Sequence, residues 1–236
     1  MSNPFFRFKQ FTVFHDKCAM KVGTDGVLLG AWASVEGVSN ILDVGTGTGL
    51  IALMLAQRNM GAKVVAVDVN GMAVAQAREN IRNSPFSDRI AVELGDFGQF
   101  VEKCRRKFDR IVSNPPFFSS SLLPPDSARA GARHSVSLTL DDLLLSTRNI
   151  LKSDGTLSLI LPYDRKEELI LLCEKHGFHS KRETVVYPLP EVPPKRLLVE
   201  LALCRVEEPV MDVLAIEVWR HVYTEEFAAL VNDFYL

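Results

Sequence analysis

The stretch Ile41-Leu-Asp-Val-Gly-Thr-Gly-Thr-Gly49 constrains the fold of this chain more than any other. Ile41, Leu42 and Val44 read as the end of a buried strand, and glycines follow at alternate positions, Gly45, Gly47 and Gly49. Leu50, Ile51, Leu53, Met54 and Leu55 then fit an apolar helix. Glycine lacks a Cβ, so a strand, a glycine turn and a helix in succession let bare backbone approach a nucleotide-like ligand. A tight turn without any ligand has the same local pattern. A second feature weighs against that plain reading. Val64-Val-Ala-Val-Asp68 is an apolar run closed by an acid 23 residues beyond Gly45. In a βαβ unit such an acid stands at the tip of the second strand, where a carboxylate accepts bonds from both ribose hydroxyls. Together the two features predict an adenosine-type cofactor held by Gly45, Gly47 and Asp68.

The same alternation continues along the chain. Strands are expected over 39–44, 63–68, 90–94, 108–113 and 155–161, and near 182–187 and 196–205. Helices are expected over 49–59, 71–83, 97–104, 140–151 and 164–176, the last closed by Gly177. This is an α/β pattern: a mostly parallel sheet with helices on both faces. Right-handed crossovers align the carboxyl ends of the first four strands along one edge, and ligands bind there. Gly45, Asp68, Asp96 and Asn114 fall on that rim. Asp96 has two readings: it caps the helix that starts at Phe97, or it accepts from an adenine amino group with Phe97 or Phe86 beside the ring. Residues 5–14 alternate as one or two short strands, and 15–26 read as a loop. Thr24 or Asp25 is positioned to cap a helix running to about Ala33, which would lie across the cofactor mouth. At 236 residues the chain is long enough for one α/β domain, with 1–35 as a cover and 36–236 as the core.

The sharpest chemical motif is Phe108-Asp-Arg-Ile-Val-Ser-Asn114-Pro115-Pro116-Phe117. The prolines fix φ and hold Asn114 extended, and they remove two N–H donors. The Asn114 Oδ1 and the Pro115 carbonyl are then available to accept from one planar NH₂ group, while Phe117 offers a face for a flat ring. An exocyclic amine on a base is a poor nucleophile because its lone pair is delocalised into the ring. Two acceptors on its hydrogens favour a more tetrahedral nitrogen, and they strengthen as positive charge develops there. An electrophilic methyl held in line completes the step by positioning. A rigid turn after a strand is the bland alternative.

Asp43-Val-Gly-Thr-Gly-Thr-Gly49, Asp68 and Asn114-Pro-Pro-Phe117 resemble the signature of class I S-adenosylmethionine-dependent amino-methyltransferases. The closer resemblance is to bacterial tRNA (adenine-N6) methyltransferases that modify valine tRNA beside the anticodon. It is carried by Phe8-Lys-Gln-Phe11, His15-Asp16, Cys18 to Gly26, Leu28 to Trp32, Ala132-Arg-His134 and the tail from Tyr223 to Leu236. The resemblance implies a Rossmann-like, seven-stranded sheet with one antiparallel strand, and S-adenosyl-L-methionine as cofactor. It implies methionine-moiety contacts near Lys21, Thr24 and Asp25, and further cofactor contacts at Asp43 and Gly45. It puts the ribose on Asp68, the adenine near Asp96 and Phe97, and the target base at Asn114, Pro115 and Phe117.

An RNA substrate has to be reconciled with a net charge of −2. That balance gives no argument for bulk nucleic-acid binding and leaves room for local patches. The segment 117–138 is long for a connection and rich in Ser, Pro and Arg, so it is a candidate substrate loop. Phe118 and the phosphate-gripping candidates Arg129, Arg133 and His134 lie in it, and Lys195 and Arg196 form a second candidate. The acceptor alternatives are a guanine N2 amine of rRNA and a glutamine amide of a protein. A reading from another class is an NAD-dependent oxidoreductase or a non-catalytic nucleotide-binding module. The Gly-x-Gly-x-Gly spacing and the Asn-Pro-Pro-Phe turn speak against that class. The four cysteines are scattered with no Cys-x-x-Cys pair, so no zinc site or disulfide framework is expected. The start carries Arg7 and Lys9 among phenylalanines and reads as no signal peptide, and no apolar run reaches the ~18 residues of a membrane span. The expectation is a cytoplasmic enzyme, a monomer by preference, with tRNA as partner and no metal or membrane involved.

Overall fold

The structure, a computed structural model, describes residues 3–18, 21–116 and 138–236. A short hairpin, β1 (Phe5–Arg7) and β2 (Thr12–Phe14), precedes α1 (Thr24–Trp32). The alternating core follows: β3 (Asn40–Val44), α2 (Leu50–Arg58), β4 (Lys63–Asp68), α3 (Gly71–Arg82), β5 (Ile90–Leu94), α4 (Phe97–Lys103) and β6 (Phe108–Ser113). Beyond it come α5 (Leu140–Ile150), β7 (Leu151–Pro162), α6 (Lys166–His176), β8 (His179–Tyr187) and β9 (Arg196–Ala202). The chain closes with β10 (Val210–Ala215), a hairpin of β11 (Glu217–Trp219) and β12 (Val222–Tyr223), and α7 (Glu225–Val231).

Eight strands form the central sheet in the order β10-β8-β9-β7-β6-β3-β4-β5. β9 is antiparallel to both neighbours, and every other pairing is parallel. The seven expected strands are all present, with one antiparallel among them. The eighth, β10, adds an edge outside β8. Its sequence hides it, because Val210, Met211 and Val213 are exposed and only Leu214 is buried. β3 and β4 are apolar at nearly every position because both faces of the sheet are covered. Ile41, Val64 and Ala66 enter one layer with α1, α2, α3 and α7. Leu42, Val44, Val65 and Val67 enter the other with α4, α5 and α6.

Two boundaries differ from the sequence expectation. β7 begins at Leu151, directly after α5, and a 3-10 turn at Tyr163–Arg165 opens α6. The predicted cap of α1 is also revised: Gly23 occupies the N-cap position with no side-chain bond, so neither Thr24 nor Asp25 caps the helix. α1 lacks a polar stripe because it is buried along most of its length. It approaches α2 closely at Gly30, where a Cβ would stand 2.7 Å from the Met54 sulfur.

The carboxyl end of α1 is locked onto β8 and β9 by a buried polar network. Glu200, 2% exposed, accepts from the Ser34 N–H at 2.8 Å and pairs with Arg182 at 3.3 Å. Arg182 also donates to the Trp32 carbonyl at 2.7 Å and lies 3.8 Å over the Trp32 ring, whose Nε1 donates to Thr184 Oγ1 at 2.9 Å. Removing one member of such a pair leaves an uncompensated buried charge, which costs about 3–5 kcal/mol. Arg182→Met should therefore lower unfolding stability by about 3 kcal/mol in urea titrations. A loss below about 1 kcal/mol would show that apolar packing alone seats α1.

Candidate active site

Strand register builds the rim. Ser113 of β6 pairs with Val44 of β3, and Val44 pairs with Val67 of β4. The Ser113 hydroxyl reinforces this by donating to the Val44 carbonyl at 2.8 Å. The residues that follow these partners, Asn114, Gly45 and Asp68, therefore leave the sheet at one level. Neighbouring strands are about 4.8 Å apart, which separates Asn114 from Asp68 by roughly 10 Å with the glycine loop between them.

The loop requires its glycines. Gly45, Gly47 and Gly49 have φ of 73°, 56° and 83°, in the left-handed region that side chains disfavour. The N–H groups of Gly45 and Thr46 both donate to the Val67 carbonyl, at 2.8 and 3.1 Å. A Cβ on Gly45 or Gly47 would meet nothing within 4 Å, so the loop faces open space there. Gly49 turns inward, where a Cβ would lie 3.3 Å from Ala77 Cβ, and it seats α2 against α3.

Asp43, expected among the cofactor contacts, has its side chain beneath the loop. It is fully buried, and its Oδ2 accepts from Thr46 Oγ1 at 2.6 Å and from the Ala52 N–H at 3.1 Å. The second bond ties the carboxylate to the first turn of α2, where the helix dipole favours negative charge. Oδ1 has no hydrogen-bond partner. Burial pushes this carboxyl up to about 7, against the lowering effect of its two bonds, and the nearby Asp68 charge adds to the rise. Its side chain thus holds the loop in shape and does not itself reach the cleft.

Asp68 stands on the cleft side, half-buried. Its Oδ2 accepts from the Gly47 N–H and its Oδ1 from the Asn70 N–H, each at 2.8 Å. These bonds orient the carboxylate, and each oxygen retains acceptor capacity for a ribose hydroxyl. Asp96 is the N-cap of α4, its Oδ1 accepting from the Gln99 N–H at 3.1 Å. Its second oxygen takes no part in the cap, and the residue lines a cavity of about 640 Å³ with Leu94, Gly95 and Phe100.

The aromatic expectations need correction. Phe97 is buried in the core, its ring stacked on Phe100, so only its main chain is left for an adenine. Phe86 is buried as well, against the edge of Phe11 and under Arg89. The apolar side chain next to Asp68 is Val69, 67% exposed. Sequence reasoning passed over it, although an apolar residue directly after that acid was a readable signal.

Asn114 is half-buried, Pro115 buried and Pro116 exposed. The two prolines open on a cavity of about 360 Å³ lined also by Leu161, Leu172 and Lys175. Phe117, Phe118, Arg129, Arg133 and His134 lie outside the described residues. Lys21 and Thr24 are exposed at the approach to α1. Asp25 and Arg196, assigned to cofactor and substrate separately, bond to each other, Arg196 Nε to Asp25 Oδ2 at 2.8 Å. Arg196, a candidate for RNA phosphate, thus has its charge partly balanced by the Asp25 carboxylate. Lys195 is exposed next to it. Among the described residues no group of three His, Cys, Asp or Glu is placed to hold a metal ion, and no helix is long and apolar enough to cross a membrane.

Residues 22–176 match the family model of the methyltransferase small domain. A tRNA1(Val) (adenine(37)-N6)-methyltransferase of Parabacteroides distasonis is 52% identical over 236 residues, covering 100% of this chain and 99% of the relative. One of the same name from Trichodesmium erythraeum is 46% identical over 98% of this chain and 97% of its own. The chain belongs to the tRNA1(Val) (adenine(37)-N6)-methyltransferase family. A crystal structure of a predicted O-methyltransferase from Agrobacterium tumefaciens superposes with a TM-score of 0.70 at 24% identity, covering 89% of this chain and 96% of that one. That likeness shows the class I Rossmann-like fold alone. The methyl donor is S-adenosyl-L-methionine. The open space over Gly45 and Gly47, beside the oriented Asp68 carboxylate, fits that group.

The state of Asp43 makes the loop sensitive to pH. A carboxyl raised in the folded state binds more protons there than in the unfolded chain, so its contribution is fully present below about pH 4 and is lost as pH rises towards 7. Relative to Asp43→Asn, the ligand-free wild type should lose stability between about pH 4 and pH 7, by an amount on the order of 4 kcal/mol at most, and level off above that range. Urea unfolding of both proteins at a series of pH values measures this. A wild type that instead loses stability relative to Asp43→Asn as pH falls would mean that the carboxyl is held ionised in the fold, with its pKa lowered.

Proposed function

We propose that this chain transfers the methyl group of S-adenosyl-L-methionine to the exocyclic N6 amine of adenine 37 of valine tRNA. The observation that carries the reading is the common level of Asn114, Gly45 and Asp68, which brings an amine-gripping turn beside a cofactor cradle. The full-length relatives named for that reaction support the choice of acceptor.

In this reading Asp68 holds the ribose and Asp96 meets the adenine edge of the cofactor, with Val69 against the ring. Gly45 and Gly47 bring main chain close to the cofactor, and Lys21 and Thr24 stand near its methionine end. The cofactor supplies an electrophilic sulfonium methyl. The target adenine leaves its stack to reach the rim, at a cost of a few kcal/mol that is smallest for an unpaired loop base. The Asn114 Oδ1 and the Pro115 carbonyl accept from its amino group and localise the nitrogen lone pair. Both contacts strengthen as the nitrogen acquires positive charge, so they act on the transition state more than on the bound substrate. Phe117 and Phe118 follow the grip directly in sequence and are assigned to the base and its neighbour, with Arg129, Arg133 and His134 on phosphates. The cytoplasm is the proposed compartment, in keeping with four free cysteines.

The direct experiment is tritium transfer from labelled cofactor to total tRNA from a strain lacking this gene, followed by nucleoside mapping. Label should appear as N6-methyladenosine at position 37 of valine tRNA. Label confined to rRNA guanine or to a protein glutamine would refute the proposed acceptor while keeping the amine chemistry.

Two variants separate the roles. Asn114→Ala should cut kcat by about 100- to 1,000-fold and leave cofactor affinity within about twofold. Asp68→Ala should weaken cofactor binding by about tenfold or more, since it removes charge-assisted hydrogen bonds. Parallel losses of affinity and turnover in Asn114→Ala would count against its place on the reacting amine.

A further inference from the structure

β10 is parallel to β8 and ends level with it, Ala215 beside Tyr187, so it delivers the chain to the same rim of the sheet as Asn114. The β11–β12 hairpin starts there and is fastened at its base. The Ile216 N–H donates to the Tyr187 carbonyl at 2.8 Å and the Glu217 N–H to the Pro188 carbonyl at 3.0 Å. Thr224 closes the other side, its Oγ1 donating to the Ala215 carbonyl at 2.6 Å and its N–H to the Ile216 carbonyl at 3.0 Å.

The far end of this anchored hairpin is unusual in what it displays. Trp219 is 75% exposed, and Arg220 and His221 form the exposed turn. His221 has φ of 66° and is the only non-glycine residue with positive φ among the described residues. Histidine is among the few side chains that enter the left-handed region readily, which suits it to this tight turn. Arg220 and Lys195 have no carboxylate partner among the described residues, and Lys195 stands in the neighbouring rim loop, its N–H bonded to the Val186 carbonyl. Glu225 and Glu226, which follow the hairpin, lie in the first turn of α7, where the helix dipole favours them. A large aromatic face with Arg220 next to it in sequence and Lys195 in the adjoining rim loop is a combination that takes unpaired bases and their phosphates.

We propose that the β11–β12 hairpin is a second contact for the RNA substrate, with Trp219 stacked on an unpaired base and Arg220 and Lys195 on neighbouring phosphates. This rests on the proposed tRNA activity and extends it. Four strand spacings separate β10 from β6, which puts the hairpin about 19 Å from Asn114 along the rim. At about 3.4 Å per stacked nucleotide, that is five or six nucleotides from the flipped base. The contact therefore selects the shape of the loop and stem around the target, and the hairpin residues position substrate without touching the reacting atoms.

The chain has two tryptophans, and Trp32 is buried, so Trp219 is the one that reports on bound RNA. Adding unmethylated valine tRNA should quench the emission of the wild type, and the quench should vanish in Trp219→Phe. Trp219→Ala should raise KM for tRNA by about tenfold, with kcat and cofactor affinity within about twofold, and Trp219→Phe should retain most of the affinity. Arg220→Ala should weaken tRNA binding and reduce its dependence on salt. Wild-type KM in Trp219→Ala would overturn the proposal, as would a change only in sedimentation, which would assign the hairpin to a second copy of the chain. If the wild type transfers no methyl group to any tRNA, the proposed function fails. If it does so and the hairpin variants match it, only the hairpin assignment fails.

Discussion

The bond between Asp43 and the first turn of α2 is the constraint on which the cleft depends. A loop with three residues at positive φ has no regular hydrogen-bond pattern to hold it. Here the Val67 carbonyl fixes its first half, and the Asp43 carboxylate, through Thr46 and Ala52, fixes its return into the helix. A buried carboxylate with one unpartnered oxygen is an expensive brace. The bonds from Thr46 and from the first turn of α2, with the helix dipole behind the second, offset part of that cost. Asp68, one strand away, performs the converse task. It spends two bonds on its own orientation and stays open to the cleft.

Parallel register converts this local device into a site. In a parallel sheet the strands end together, so residues far apart in sequence share a level without any contact between their side chains. Ser113, Val44 and Val67 are in one row, and the turn that carries Asn114, the glycine loop and Asp68 all start from it. A slip of one residue in either pairing would rotate every following side chain to the opposite face. The Ser113 hydroxyl on the Val44 carbonyl opposes such a slip one residue before Asn114.

How much of this was readable follows the same physics. β3 and β4 are buried on both faces, so their apolar runs and closing acid spoke plainly, as did the glycine spacing and the Asn-Pro-Pro turn. The edge was not readable: β10 buries little, and the hairpin beyond it presents Val218, Trp219 and Val222 to solvent, so neither has a burial pattern to detect. Side-chain direction was the second blind spot. For Asp43, Phe97 and Phe86, sequence position does not say which way a side chain turns. The first braces the loop from below, and the two rings fill opposite layers of the core. The pairing of Asp25 with Arg196 was illegible for a different reason, since 171 residues separate the partners.

That pairing has a consequence for how the two ends of the sheet work together. α1 is held at its start by Arg196 on β9 and at its finish by Arg182 and Glu200 on β8 and β9, so the whole helix rides on the half of the sheet that carries the antiparallel strand. The glycine loop and Asp68 belong to the other half. α1 bridges them through its close approach to α2 at Gly30. Any force on the rim near Arg196 is therefore felt at α1, and α1 packs on the helix that the glycine loop feeds. Arg196 is committed to Asp25, whereas Lys195 and Arg220 have no carboxylate partner among the described residues. One half of the sheet thus carries α1 and the β11–β12 hairpin and the other the glycine loop and Asp68, and the turn at Asn114 stands between them.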